Sequence, residues 1–260
     1  MVLGVPKWWA MSPLLAFALR AATAGGKRTL AYFQTAVEVE RKADTSPVTR
    51  ADRECEEEIR RMIAAEYPDH GILGEEQGES GDAAERWVID PIDGTKSFIS
   101  GVPLYGTLLS FEVDHNPILG VCYFPALDEI VYAEAGEGAF FNGRPVRVSK
   151  VRDLSEATMV CGSPGSMRKH GREPGWMSLV ETCRVSRTWG DAYGHALVAT
   201  GRADLMIDPI VEWYDLSAMK VIVEEAGGRF SDFGGQSGIH REAISTNGHL
   251  HAAVLERFAG

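Results

Sequence analysis

The chain has 260 residues, 45% hydrophobic and 24% charged, with a formal net charge of -11. That length suits one large domain or two modest subdomains sharing a core, and the composition excludes a chain disordered throughout. The acidic excess argues against a nucleic-acid backbone as the main partner, which needs clustered Lys and Arg, and it suits divalent cations.

The first ten residues, with Trp8 and Trp9, read as a mobile arm. Apolar residues at helical spacing (Leu14, Leu15, Ala18, Leu19, Ala22) predict a helix over 13–24, and a second follows over 29–33. The apolar stretch around Arg20 is too short to span a bilayer, so no membrane partner is expected. A helix over 52–66 ends at Tyr67-Pro68-Asp69-His70-Gly71. Trp87-Val88-Ile89 reads as a buried strand that delivers Asp90 at its end. Strands over 107–113, 118–124, 129–133 and 138–141 form an antiparallel meander with breaks at Pro125, Gly136 and Asn142-Gly143. After Ser149 the rhythm changes. Short strands near 159–160, 205–207, 229–230 and 243–245 alternate with helices near 177–183, 193–200, 215–226 and 249–258. The chain therefore divides into an α+β subdomain over 1–148 and an α/β subdomain over 149–260. Cys55, Cys122, Cys161 and Cys183 show neither CxxC nor zinc spacing and read as buried thiols in a reducing compartment, which places the chain in the cytoplasm.

The chemistry concentrates in Asp90-Pro91-Ile92-Asp93-Gly94-Thr95. Two carboxylates this close repel by several kcal/mol at low dielectric and stay ionised together only beside a cation. Dense hard oxygen ligands suit Mg²⁺. Gly94 and Thr95 then open a helix whose free backbone N–H groups can bind phosphate. The bland alternative is a capped loop with Asp93 as the N-cap. Gly74-Glu75-Glu76 and Trp213-Tyr214-Asp215 add further acids, which alone would read as a solvated pair and a helix cap.

Together, GEE at 74–76, WVIDPIDGTKSF at 87–98, VATGRAD at 198–204 and WYDLSAMKVIVEEAGG at 213–228 resemble the inositol monophosphatase family, in order and over nearly the whole chain after residue 12. The resemblance implies an α-β-α-β-α layered sandwich of two subdomains and a Li⁺-sensitive, Mg²⁺-dependent phosphate monoester hydrolase acting on a small molecule as a homodimer. It implies that Glu75, Asp90 and the Ile92 carbonyl hold one Mg²⁺. Asp90, Asp93 and Asp215 would hold a second, and Glu75 a third, weaker one through water. It also implies that Asp93, Gly94 and Thr95 bind the phosphate, and that Thr95, supported by Asp52, orients the attacking water. Tyr214 departs from the family's usual Trp, one flat aromatic for another.

Two features separate this chain from inositol-preferring relatives. Lys96 follows DGT where those relatives carry Thr, and Ser186 to Gly194 resembles the family's histidinol-phosphatase branch. Asp191 and Asp208 are then expected to line the pocket for the leaving alcohol, with Arg187 and Ser163 as further contacts. Two additional carboxylates favour a cationic alcohol such as histidinol and a place in histidine biosynthesis. Inositol phosphate, fructose bisphosphate and 3′-phosphoadenosine nucleotides are the alternative substrates, and a binding platform for the transcription machinery is a remote one. Asn247 would reach the pocket of a neighbouring subunit or start a helix.

Overall fold

The computed structural model describes residues 11–42, 47–81 and 84–259. The arm carrying Trp8 and Trp9 lies outside them. Ser12 caps α1 (Pro13–Thr29), its hydroxyl accepting from Leu15 N at 3.0 Å. β1 (Val39–Arg41) and β2 (Pro47–Thr49) pair as a ribbon and lead into α2 (Arg50–Glu66). Then come β3 (Gly71–Gly74), β4 (Gly78–Ser80), β5 (Glu85–Asp93) and the short α3 (Thr95–Ile99). The meander follows as β6 (Gly106–Val113), β7 (Asn116–Phe124), β8 (Glu129–Glu134), β9 (Gly138–Phe141) and β10 (Arg144–Val146). Beyond it lie β11 (Thr158–Cys161), α4 (Pro164–Lys169), α5 (Glu173–Thr182), β12 (Val185–Arg187), α6 (Asp191–Ala199), β13 (Leu205–Asp208), α7 (Trp213–Glu225), β14 (Arg229–Ser231), β15 (Ala243–Thr246) and α8 (His251–Leu255).

Two sheets result. The first has eight strands in the order β10-β9-β8-β7-β6-β5-β3-β4, antiparallel except for β3 beside β5. The second has five, in the order β12-β11-β13-β15-β14, with β11 parallel to both of its neighbours. One face of the larger sheet packs on α1 and α2 through Phe17, Ala21, Ile59, Ile63, Trp87 and Phe111. Its other face meets α6 and α7 through Leu108, Phe124, Ala196 and Met219. The outer face of the smaller sheet is covered by α4, α5 and α8, with Met159, Met167, Leu179 and Val254 between them. The layers therefore run α-β-α-β-α. Two apolar faces per sheet explain why most strands here are continuous apolar runs rather than alternating ones.

The expected break between helices over 13–24 and 29–33 is absent. α1 runs unbroken through Gly25 and Gly26 to Thr29, and the residues after it form turns. A glycine pair in a helix costs about 2 kcal/mol of propensity, but here it buys proximity. A Cβ on Gly25 would lie 2.7 Å from Ile59 of α2, and one on Gly26 would lie 2.7 Å from Tyr123 of β7. Tertiary packing overrides local preference. Asn247 does not reach outward either. Its amide donates to Ser149 Oγ (2.9 Å) and the Val151 carbonyl (2.8 Å), tying the end of β15 to the chain around residue 150, and its Oδ1 accepts from Leu250 N (3.1 Å) just before α8.

Candidate active site

The expected strand ending at Asp90 continues to Asp93. Within β5, Asp90 pairs with Leu108 but Asp93 pairs with Gly106, so three steps on one strand face two on the other. This is a β-bulge at Pro91-Ile92. In a regular strand, residues three apart point to opposite faces; one extra residue returns them to the same face. Proline is suited to the bulge because no N–H is missed there. The Pro91 carbonyl, turned out of the ladder, accepts from Thr107 Oγ1 at 2.8 Å and from Cys55 Sγ at 3.4 Å. Gly94 follows in the left-handed region at φ 77°, where a side chain would be strained and a Cβ would lie 3.1 Å from Asp191 Oδ2.

Asp215 arrives from the first turn of α7. Its Oδ2 accepts from Glu212 N at 2.8 Å in a capping box, but Glu212 rather than Asp215 is the N-cap; Asp215 is the third helical residue and a member of the acidic cluster. α7 is held against the larger sheet by a close approach at Gly120, where a Cβ would be 2.3 Å from the Ala218 carbonyl. A buried network completes the attachment. Glu112 accepts from Arg86 Nε (2.8 Å), Trp213 Nε1 (2.6 Å) and Ser217 Oγ (2.6 Å), and Ser217 Oγ in turn accepts from Ser110 Oγ (2.6 Å).

Ligand oxygens of Asp90, Asp93 and Asp215 lie within 4.8 Å of one another. Glu75 follows the end of β3, its N–H donating to the Ile89 carbonyl at 3.2 Å, and it lines the same 180 Å³ cavity with Ile92, Gly94, Thr95 and Asp191. The loop bearing Glu75 is clamped by the buried Glu56 of α2, which accepts from Glu76 N (2.8 Å), Gln77 N (3.1 Å) and Arg60 Nε (2.7 Å). Lys42 Nζ bridges Glu75 (2.8 Å) and Glu76 (2.7 Å). Burial lifts Asp90 well above the usual carboxylate range, and Glu75, Asp93 and Asp215 lift it further. Asp93 is lifted by burial, then by Asp191 and Asp215, against the lowering N–H of Ala192. Asp215 is pushed up to about 7, chiefly by burial. Asp90 Oδ1 is buried with no hydrogen-bond partner among the described residues. Such an arrangement is costly unless a cation neutralises it, and an all-oxygen donor set of this density fits Mg²⁺. The side chains present therefore fit the ion.

Asp93 also faces the other way. Its Oδ2 accepts from Ala192 N at 2.7 Å, at the start of α6. Past it opens a second cavity of 350 Å³ whose walls include Lys96, Ser163, Asp191 and Asp208. Gly190 is the N-cap of α6, and Asp191 is the first helical residue, at φ 55°. Its pKa is raised by burial against the lowering charge of Lys96, and that of Asp208 is raised well above the ordinary range by burial and then by Asp191 and Asp215. Ser163 is the N-cap of α4, yet its hydroxyl makes no capping bond.

Two expected residues stand apart. Arg187 is exposed on the edge strand β12, its guanidinium donating to the Ser186 carbonyl at 2.7 Å; it pairs with neither Asp191 nor Glu181 and lines neither cavity. Asp52 and Thr95 are not joined by a hydrogen bond. Asp52 Oδ2 takes Thr49 N (2.8 Å) and Oγ1 (2.6 Å) in the capping box of α2, while Thr95 Oγ1 donates to the Ile92 carbonyl at 3.0 Å. Asp52 is pushed up to about 6, chiefly by burial. Tyr214 lies near the acidic cluster but lines neither cavity; burial raises its pKa, and Glu75, Asp215 and Asp90 raise it further. Sequence reasoning missed Lys42, Ser166 and His195, of which only His195, a polar residue in an apolar helix, left a signal.

A model of the inositol monophosphatase family matches residues 10–259. The chain belongs to that family. A histidinol-phosphatase of Chlorobaculum parvum is 46% identical over 236 residues, covering 88% of this chain and 89% of that protein. A histidinol-phosphatase of Mycobacterium tuberculosis is 38% identical, covering 84% and 87%. The structure of an IMPase from Thermotoga maritima superposes with a TM-score of 0.88 at 32% identity, over 95% of this chain and 96% of that one. The layered sandwich is the family's fold, and the chain is a metal-dependent phosphomonoesterase acting on small phosphate monoesters. Among the described residues, no helix is long and apolar enough to cross a membrane.

Proposed function

We propose that the chain hydrolyses histidinol phosphate to histidinol and phosphate. The observation that carries this reading is the pair of carboxylates, buried Asp208 and partly buried Asp191, on the walls of the cavity beyond Asp93. Both are held toward their neutral form by burial. An alcohol bearing an ammonium and an imidazole restores their charge and gains about 1.5–3 kcal/mol per charge-assisted contact. A neutral polyol gains no such attraction.

Glu75, Asp90, Asp93, Asp215 and the Ile92 carbonyl would hold two to three Mg²⁺. Bound there, the ions neutralise phosphoryl charge and lower the pKa of water. The chain's own groups do the rest. The first N–H groups of α3, at Gly94 and Thr95, have no intrahelical acceptor and are free to hold a phosphoryl oxygen. Because Thr95 Oγ1 donates to the Ile92 carbonyl, its lone pairs are left to accept from the attacking water and aim it. Asp52, with a free buried oxygen, acts on this site electrostatically rather than by direct contact with Thr95. Asp93, shared by both cavities, sets the distance between phosphate and tail. Ser163, with its hydroxyl uncommitted, is a further contact for the tail.

The division into subdomains at 148/149, the homodimer and a cytoplasmic setting belong to the same reading. The test is phosphate release from histidinol phosphate and from inositol 1-phosphate, with Mg²⁺ and with EDTA, beside Asp93→Asn. Mg²⁺-dependent release that favours histidinol phosphate and disappears in Asp93→Asn is expected. Faster release from inositol 1-phosphate would overturn the substrate assignment.

A further inference from the structure

The cavity beyond Asp93 has polar wall residues that the reading above leaves idle, His195 among them. His195 lies in the middle of α6, among Ala192, Ala196 and Leu197, and is only 2% exposed. It lines the cavity that Asp191 and Asp208 line. Its Nδ1 is 2.8 Å from Ser245 Oγ on β15, and its ring lies 5.6 Å from the Phe230 ring at 42°. Those two contacts fix the plane of the imidazole.

Nε2 is different. It has no hydrogen-bond partner among the described residues. It is also not sealed in: the buried side-chain atoms without partners are Asp52 Oδ1, Asp90 Oδ1, Arg172 Nε, Trp176 Nε1 and His240 Nε2. A partnerless atom on a buried residue, reachable by solvent, opens onto the cavity which that residue lines. His251, the other buried histidine, shows the structural alternative. Its Nε2 meets Ser231 Oγ at 3.0 Å and its Nδ1 meets Thr246 Oγ1 at 3.1 Å, so both nitrogens are spent inside the protein. Buried polar groups are ordinarily paired. A histidine kept half-paired in an apolar helix, facing a cavity, is a ligand contact waiting for its ligand.

We propose that His195 is a specificity-determining residue for the leaving alcohol, donating Nδ1–H to Ser245 and accepting at Nε2 a hydrogen bond from an N–H of the alcohol's polar tail. The identity of that tail rests on the histidinol reading; the contact itself rests on the cavity. Burial pushes the pKa of His195 down to about 3, so the ring is neutral at working pH and its lone pair is available. Asp191 and Asp208 supply charge, and His195 supplies direction. Three acceptors around one cavity select a tail rich in N–H donors.

The experiment compares kcat/KM for histidinol phosphate with kcat/KM for phenyl phosphate, which has no polar tail, in wild type, His195→Phe, His195→Gln and Ser245→Ala. The ratio is expected to fall about tenfold or more in His195→Phe, mostly through KM, as one hydrogen bond to a charged donor is lost. His195→Gln, which keeps an acceptor, recovers part of it, and Ser245→Ala lowers it by releasing the tautomer. A His195→Phe ratio within about twofold of wild type overturns the proposal. Should His195→Phe fail to fold by circular dichroism, unchanged ratios in the Gln and Ser245 variants overturn it equally. Should wild type favour inositol 1-phosphate, the substrate reading falls alone, and the same ratio taken on inositol 1-phosphate decides whether His195 touches the tail.

Discussion

Two groups of buried acids share helix α7, and they differ in one respect. Glu112 has a partner at each oxygen, from Arg86, Trp213 and Ser217. Asp90, Asp93 and Asp215 crowd within 4.8 Å of one another, and among the described residues the cations beside them stand at the edges: Lys42, which holds Glu75, and Lys96, which lines the same cavity. The first group is complete within the chain and fastens the helix. The second is complete only with something from outside. Burial alone does not distinguish structure from function; the balance of charge around the buried group does.

That comparison can be broken in several places. The largest effect is expected from Asp93→Asn, which removes a ligand and one of the walls common to both cavities. Phosphate release should fall about a thousandfold or more, while urea unfolding in EDTA shifts to higher concentration because a repelling charge is gone. Glu112→Ala should do the reverse. It strips the buried acceptor from Arg86, Trp213 and Ser217 and leaves Arg86 only its outer bridge to Glu79, costs about 3–5 kcal/mol in urea unfolding, and spares the stabilisation that Mg²⁺ gives whatever remains folded. An Asp93 variant that destabilised the metal-free protein as much as the Glu112 variant would erase the distinction.

The pH dependence sharpens it further. In EDTA, Asp215 titrates near 7 in the folded chain and near its ordinary value unfolded. The folded state therefore binds more protons between about pH 4 and 7. The contribution of Asp215 to metal-free stability is fully present below that window and is lost as pH rises through it. Saturating Mg²⁺ should flatten the decline, and melting curves at pH 5 and pH 8 with and without the ion check it. The smallest effect belongs to Arg187→Ala: exposed and off both cavities, it should change KM for histidinol phosphate by less than about twofold, whereas Asp191→Asn should raise it by about tenfold or more.

Much of this was legible in the sequence, for identifiable reasons. The meander could be read because its strands are long apolar runs punctuated by Asn142-Gly143 and other turn residues. Asp90 and Asp93 stood out as two acids closing an apolar strand, whereas Glu75 and Asp215 were weak alone and took their meaning from the family resemblance. What escaped depended on contacts between distant segments. The continuity of α1 rests on Ile59 and Tyr123, which receive its glycines. The Asp93 link to Ala192 spans 99 residues. Arg187 looked like a pocket residue by position alone, but the edge strand turns it outward. Neither Lys42 nor the open nitrogen of His195 carries a local pattern that would reveal its partners.

The bulge at Pro91-Ile92 has a consequence for how this site can change over generations. Most single-letter replacements at Ile92 preserve the count of residues between Asp90 and Asp93, and the backbone carbonyl at that position survives any of them. Losing the codon altogether is another matter. With two steps facing two, the strand would have no bulge at which to accommodate Pro91, and the acid would reach the corner before Gly94 from a shifted register. The vulnerability of this stretch thus lies in its length more than in its spelling, and an in-frame deletion there should be far harder to tolerate than most substitutions.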